Sequence, residues 1–190
     1  MTKKEALKNL EKEITGDKNL PLQESNLVFG EGNPEAGVMF IGEAPGQKED
    51  ELGRPFVGRA GKLLDKLIKE VGWRRGDVYI TNIVKRRPPD NRDPLPEEIA
   101  AYKPYLSAQI EIINPLVIAT LGRFSMNYFL PDAKITRDEG KVFKINGKFI
   151  YPLFHPAAAL RSPDTMGAAL RKSFLRLPAV IKKCEEIKQK

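Results

Sequence analysis

Residues 38–46 read Val38-Met39-Phe40-Ile41-Gly42-Glu43-Ala44-Pro45-Gly46. Four apolar residues closed by a glycine have the length and flanks of a buried strand. The unit recurs as Val78-Tyr79-Ile80-Thr81, as Leu116-Val117-Ile118-Ala119-Thr120-Leu121, and as Phe149-Ile150-Tyr151-Pro152-Leu153. Between these runs the apolar period lengthens. Leu63, Leu64, Leu67, Ile68 and Val71 repeat three and four apart, and Ile99, Leu106, Ile110 and Ile113 continue such a face. Pro104 should kink that second helix or mark its start. Strands alternating with helices predict a parallel sheet covered on both faces, a three-layer α/β/α sandwich. Asn146-Gly147 signals a small hairpin leading into the fourth run. Ala6, Leu7, Leu10 and Ile14 predict a helix over 2–14. Met166, Ala169, Leu170, Leu177, Ile181, Cys184 and Ile187 predict another in the tail, broken or kinked at Pro178.

Composition narrows the chemistry. The chain has 190 residues, 41% of them hydrophobic and 8% aromatic, which excludes intrinsic disorder. The length suits one domain spanning 1–190. Cys184 is the single cysteine and His155 the single histidine, so one chain can hold neither a disulfide, a zinc cluster nor a cysteine-ligated iron–sulfur cluster. The opening MTKKEALKNLEKEITGD lacks the apolar run of a signal peptide, and no stretch approaches the ~18 apolar residues of a membrane span. A soluble, cytoplasmic protein is expected. Lys and Arg exceed Asp and Glu by 32 to 25, a net charge of +7 that is compatible with a polyanionic partner.

The polar, Gly- and Pro-rich segments fall just after the strand ends, where open parallel sheets bind ligands. Gly42-Glu43-Ala44-Pro45-Gly46 follows the first run, Asn82 ends the second, Gly122-Arg123 follows the third, and His155-Pro156 the fourth. A lone histidine is commonly satisfied by backbone, but one after an apolar strand and before a small-residue loop could stabilise a leaving group. Glu43 reads either as a solvated turn carboxylate or as a pocket rim, and the GEAPG turn lacks the ending of a phosphate loop. The planar amide of Asn82 carries one acceptor and two donors, which suits the edge of a nucleobase. The loop from Lys85 to Pro94 packs four cations among three prolines, a stiff candidate for phosphate contact.

Four ordered segments, VMFIGEAPGQKEDELGRPFVGRAGKLLDKL (38–67), VYITNIVKRRPPDNRDPLPEEIAAYKPYL (78–106), VIATLGR (117–123) and FHPAAALR (154–161), resemble a family 4 uracil-DNA glycosylase. The likeness runs from about Leu27 to Arg171. It implies an α/β/α sandwich with a four-stranded parallel sheet and a monofunctional, monomeric hydrolase. Such an enzyme releases uracil flipped out of single- or double-stranded DNA and leaves an abasic site for base excision repair. By this resemblance Glu43 and the Ala44 backbone line the pocket and hold the attacking water, and Phe56 stacks on the base. Asn82 reads the uracil edge, His155 donates to O2 as the bond breaks, and Glu49 guards the pocket near C5. Lys85, Arg87, Arg92, Arg123 and Arg161 face the phosphates, while the Ala158–Arg161 turn, led by Leu160, enters the duplex.

One departure is plain. Members of that family hold a 4Fe-4S cluster on four cysteines, whose positions here are Thr15, Lys18, Arg86 and Tyr102. None supplies a thiolate, so no cofactor is expected, and polar and packing contacts among these residues are expected to take the cluster's structural place. Three alternatives stay open at this point. They are a glycosylase for another deaminated base, a branch that traps its product through a loop histidine (absent from KRRPPDNRD), and a non-catalytic binder of damaged DNA.

Overall fold

The computed structural model describes residues 1–189. In chain order the elements are α1 (Lys3–Gly16), β1 (Glu31–Gly32), β2 (Val38–Gly42), α2 (Gln47–Leu52), α3 (Arg59–Glu70), β3 (Tyr79–Asn82) and α4 (Pro96–Ile113). Then come β4 (Val117–Leu121), α5 (Arg123–Phe129), α6 (Ile135–Asp138), β5 (Phe143–Ile145), β6 (Lys148–Leu153), α7 (Pro156–Arg161) and α8 (Ala168–Lys188). One six-stranded sheet has the order β1-β3-β2-β4-β6-β5. Its four central strands, β3-β2-β4-β6, are mutually parallel. The two edges, β1 and β5, are short antiparallel additions. The four apolar runs are thus the four parallel strands. Asn146 and Gly147 both take positive φ, 48° and 78°, in the tight turn joining β5 to β6.

Every residue of β2, β3 and β4 is buried because both faces of the sheet are covered. Alternate side chains enter separate cores. Val38, Phe40, Ile80, Val117 and Ala119 join Leu64, Leu67, Leu170 and Phe174 beneath α3, α7 and α8. Met39, Ile41, Tyr79 and Ile118 join Leu7, Ile14, Tyr102 and Leu106 beneath α1 and α4. Phe40 and Phe174 stack with centroids 5.3 Å apart. At ~1.5–3 kcal/mol for each large side chain buried, these two layers dominate the stability.

Pro104 does not mark a helix start, and Pro178 does not break the tail helix. Pro104 lies inside α4, which starts at Pro96, and Pro178 lies inside α8. A proline costs a helix interior about 3 kcal/mol. Here the helix on each side is pinned by buried residues, Tyr102 and Leu106 around Pro104, Leu177 and Val180 around Pro178. Burial of those faces outweighs the missing hydrogen bond. Thr2 begins α1 by a capping box, its hydroxyl accepting from the Glu5 amide while the Glu5 carboxylate accepts from the Thr2 amide at 2.7 Å.

Candidate active site

The carboxyl ends of all four parallel strands open on one cleft of about 580 Å³. Its floor is made where β2 and β3 end in register, Gly42 opposite Asn82. The pairing continues past the sheet, with the Ile83 amide donating to Gly42 at 3.0 Å and the Val84 amide to Glu43 at 3.1 Å. Asn82 is 2% exposed, and its Oδ1 has no hydrogen-bond partner in the protein. An unpaired buried acceptor costs ~1–3 kcal/mol, so this oxygen, on a residue that lines the cleft, leaves a place for a ligand donor. Glycine at 42 makes the convergence possible. A Cβ there would lie 2.5 Å from both Asn82 Oδ1 and Phe56 Cζ.

Phe56 reaches this floor from an unusual turn. Its φ is +50°, which a bulky side chain rarely adopts. The turn is gripped on three sides. Glu49 Oε1 accepts from the amides of Val57 and Gly58, both at 2.9 Å. Arg75 donates to the carbonyls of Phe56 (3.1 Å) and Pro55, and is itself held by Glu31 (2.8 Å) and Asp65 (2.7 Å). Gly61 lies so close beneath that a Cβ would stand 1.9 Å from the Phe56 oxygen. Glu49 lines the cleft, and one of its oxygens braces the turn as well. Arg75 carries no sequence signal. Trp73-Arg74-Arg75-Gly76-Asp77 reads as a solvated turn, and only the fold shows that this arginine faces inward.

His155 caps α7. Its Nδ1 accepts from the Ala157 amide at 3.0 Å, which leaves the proton of the neutral ring on Nε2. Burial, helped by nearby Arg161, pushes its pKa down to about 4. The ring is therefore a neutral Nε2–H donor at neutral pH. It sits 5.8 Å from the Phe56 ring, tilted by 32°, so the two form adjoining walls. Gly122 bends with φ +94° beside it, leaving 3.0 Å between an added Cβ and the His155 Cβ.

Glu43 shows the opposite shift. Burial, reinforced by the Asp93 carboxylate and opposed by Arg123, raises its pKa to about 7. Asp93 and Arg123 pair with each other at 3.3 Å on the cleft rim. One wall thus carries a carboxyl that titrates near neutrality, another a neutral imidazole. That pairing suits a base and a hydrogen-bond donor acting on either side of a bond being broken.

The structure corrects one expected phosphate contact. Lys85 is fully buried, donating to Thr81 Oγ1 (2.6 Å), the Asn82 carbonyl (2.8 Å) and Gln109 Oε1 (2.5 Å). It cannot reach DNA, because the residues after β3 run inward beneath α4 before the chain surfaces. Arg86 is also buried, donating to the Ser25 carbonyl. The surface charge begins later. Arg87 bonds Asn91 at 2.7 Å and Arg92 is forked onto Glu98 at 2.6 and 2.9 Å. Arg92, Arg123 and Arg161 line the cleft mouth, and Leu160, 39% exposed, projects from α7 beside it.

A family model described as the uracil DNA glycosylase superfamily matches residues 29–177. The chain belongs to that superfamily. It is similar to the type-4 uracil-DNA glycosylase of Sulfurisphaera tokodaii, 48% identical over 172 residues that cover 84% of this chain and 78% of that protein. Likeness to the type-4 enzyme of Thermotoga maritima is 51% over 146 residues, 75% and 76% of the two chains. The type-4 enzyme of Saccharolobus solfataricus is 51% identical over 150 residues, 73% and 68% of the two. These relatives place the chain on the type-4 branch of the uracil-DNA glycosylases.

A type-4 iron–sulfur cluster does not fit this glycosylase. Tyr102 is buried and donates from its hydroxyl to the Pro21 carbonyl at 2.8 Å, close beside Arg86. Thr15 is exposed with its hydroxyl turned back onto Glu11 of its own helix, and Lys18 is exposed. No thiolate stands at any of the four positions. Cys184 is a buried residue of α8, on the other face of the sheet from Tyr102. Among the described residues no group of three His, Cys, Asp or Glu side chains could hold a metal. The segment a cluster would tie down is laced instead by Tyr102 to Pro21, Arg86 to Ser25, Tyr105 to Asp17 (2.6 Å) and Ser25 to the Arg87 carbonyl (2.8 Å). Arg86 and Tyr102 therefore take up the bracing expected of the substituted positions, while Thr15 and Lys18 do not.

Proposed function

We propose that this chain is a uracil-DNA glycosylase that hydrolyses the N-glycosidic bond of uracil extruded from DNA, without an iron–sulfur cluster. The observation that carries the reading is the unpaired, buried Oδ1 of Asn82 at the cleft floor. Uracil presents N3–H beside O4, so Asn82 accepts from the first and donates to the second. Cytosine presents an acceptor and an amino group there, which opposes both bonds. Two mismatched buried polar contacts at ~1–3 kcal/mol each supply strong discrimination. Phe56 stacks on the base.

Bond breaking leaves cationic character on the sugar and negative charge over uracil N1, O2 and O4. His155, fixed as a neutral donor, stabilises O2 without having to lose a proton first. Glu43, ionised above neutrality, orients and deprotonates the water that attacks C1′, with the Ala44 backbone beside it. The attacking oxygen ends on the sugar, and the bonding pair leaves with the base. Arg87, Arg92, Arg123 and Arg161 meet the phosphates, and Leu160 fills the space vacated in the duplex. No helix among the described residues is long and apolar enough to cross a membrane.

Release of free uracil from a uracil-containing oligonucleotide, read by alkaline cleavage of the abasic product, tests this. Wild type should cut and Asn82→Ala should lose at least about 30-fold, in line with two lost base contacts at ~1–3 kcal/mol each. Asn82→Asp should begin to release cytosine. Near-wild-type rates for Asn82→Ala would overturn the assignment. Stoichiometric iron with absorbance near 400 nm in anaerobically purified protein would overturn the cluster-free reading.

A further inference from the structure

Lys85 is the one fully buried cation of the described residues, and the mechanism above leaves it unused. Its three partners are a hydroxyl, an amide oxygen and a peptide carbonyl, none of them charged. The Thr81 hydroxyl spends its proton on the Phe29 carbonyl at 2.8 Å, and the Gln109 amide donates to that same carbonyl at 2.9 Å. All three partners therefore face Nζ as acceptors. Three acceptors match the three N–H bonds of an ammonium, whereas a neutral amine supplies only two donors and turns a lone pair on the third. The network thus selects the charged form, against a burial that by itself lowers the lysine's pKa.

A buried positive charge with no carboxylate beside it is costly, and such groups concentrate where charge develops during a reaction. This one is bonded to the carbonyl of Asn82, the residue whose side chain forms the cleft floor. We propose that Lys85 is a positioning residue whose buried ammonium fixes Asn82 and places a positive potential behind the base edge, favouring the uracil anion over neutral uracil. The inference rests on the glycosylase reading. Its effect belongs to the transition state, because the ground-state base carries no net charge.

A charge acting on the leaving group matters less when that group is already a better anion. Single-turnover release should be measured for uracil and for the more acidic 5-fluorouracil, in matched oligonucleotides. Lys85→Met should slow uracil release about 30-fold or more with KM changed less than about 3-fold, and slow 5-fluorouracil release several-fold less. Gln109→Glu keeps an oxygen against Nζ while cancelling its charge, and should show the same widened gap between the two bases. Thr81→Val, which keeps the charge, should not.

Thermal melts identify variants that fold. If Lys85→Met does not, Gln109→Glu against Thr81→Val decides. Equal losses for both bases in the folded variants would overturn the inference while leaving the glycosylase reading intact. A wild type that releases neither base would overturn both.

Discussion

The raised pKa of Glu43 makes activity a sensitive function of pH in a range where an ordinary glutamate would give none. With a midpoint of about 7, roughly a tenth of the molecules carry the Glu43 carboxylate at pH 6 and roughly nine tenths at pH 8. A base must be ionised to work, so kcat/KM should rise about tenfold over those two units. An unperturbed glutamate, already ionised at pH 6, would leave the profile flat. His155 adds no limb there, since its pKa of about 4 keeps it a neutral donor throughout. The ratio kcat/KM reports the free enzyme, so the DNA's own charge does not enter the midpoint. Two rim substitutions should move it in opposite directions. Asp93→Asn removes a repelling carboxylate and should shift the rise to lower pH. Arg123→Gln removes an attracting cation and should shift it higher. Both shifts should shrink in high salt, because the pair is exposed. Uracil release under kcat/KM conditions, from pH 5.5 to 8.5, is the assay. A flat profile, or midpoints that ignore both substitutions, would refute the role of Glu43 as base.

Other outcomes follow from the same geometry. Gly42→Ala puts a methyl 2.5 Å from both Asn82 Oδ1 and the Phe56 ring, and should cost kcat/KM about tenfold or more, with ~1–3 kcal/mol of stability by urea unfolding. Arg75→Met strands the Pro55 and Phe56 carbonyls and should cost about 2 kcal/mol while weakening base binding. Arg75→Lys should not rescue it, since one ammonium cannot span two carbonyls and two carboxylates. His155 is held neutral in the fold but takes a proton when unfolded. Its contribution is unchanged above about pH 6.5 and is lost as pH falls toward about 4. Between pH 7 and 4.5 wild type should lose about 2–3 kcal/mol more than His155→Gln, by urea unfolding at each pH.

The parallel sheet was legible because burial on both faces makes each central strand an apolar run, and four such runs punctuate this chain. The edge strands were less so. Glu31–Gly32 and Phe143–Ile145 are too short to show a period, although Asn146-Gly147 marked the second. Asn82, Glu43 and His155 stood out because each polar residue follows a strand end, and topology brings strand ends together. Lys85 was misplaced for a related reason. In Lys85-Arg86-Arg87 all three look like surface cations, and only the path of the chain beneath α4 separates the two buried ones from the third.

By itself, then, the sequence determined the layering, the edge of the sheet where the site lies, and the residue types that meet there, since these follow from local period and strand order. Tertiary structure decided the protonation states and the supports. Whether Glu43 titrates near 7, whether His155 keeps its proton on Nε2, and whether Arg75 and Lys85 face inward all depend on burial and on partners distant in the chain. Arg75 and Glu31 lie 44 residues apart, Lys85 and Gln109 lie 24 apart. Desolvation and hydrogen bonding act through space, and no local pattern of residue types encodes them.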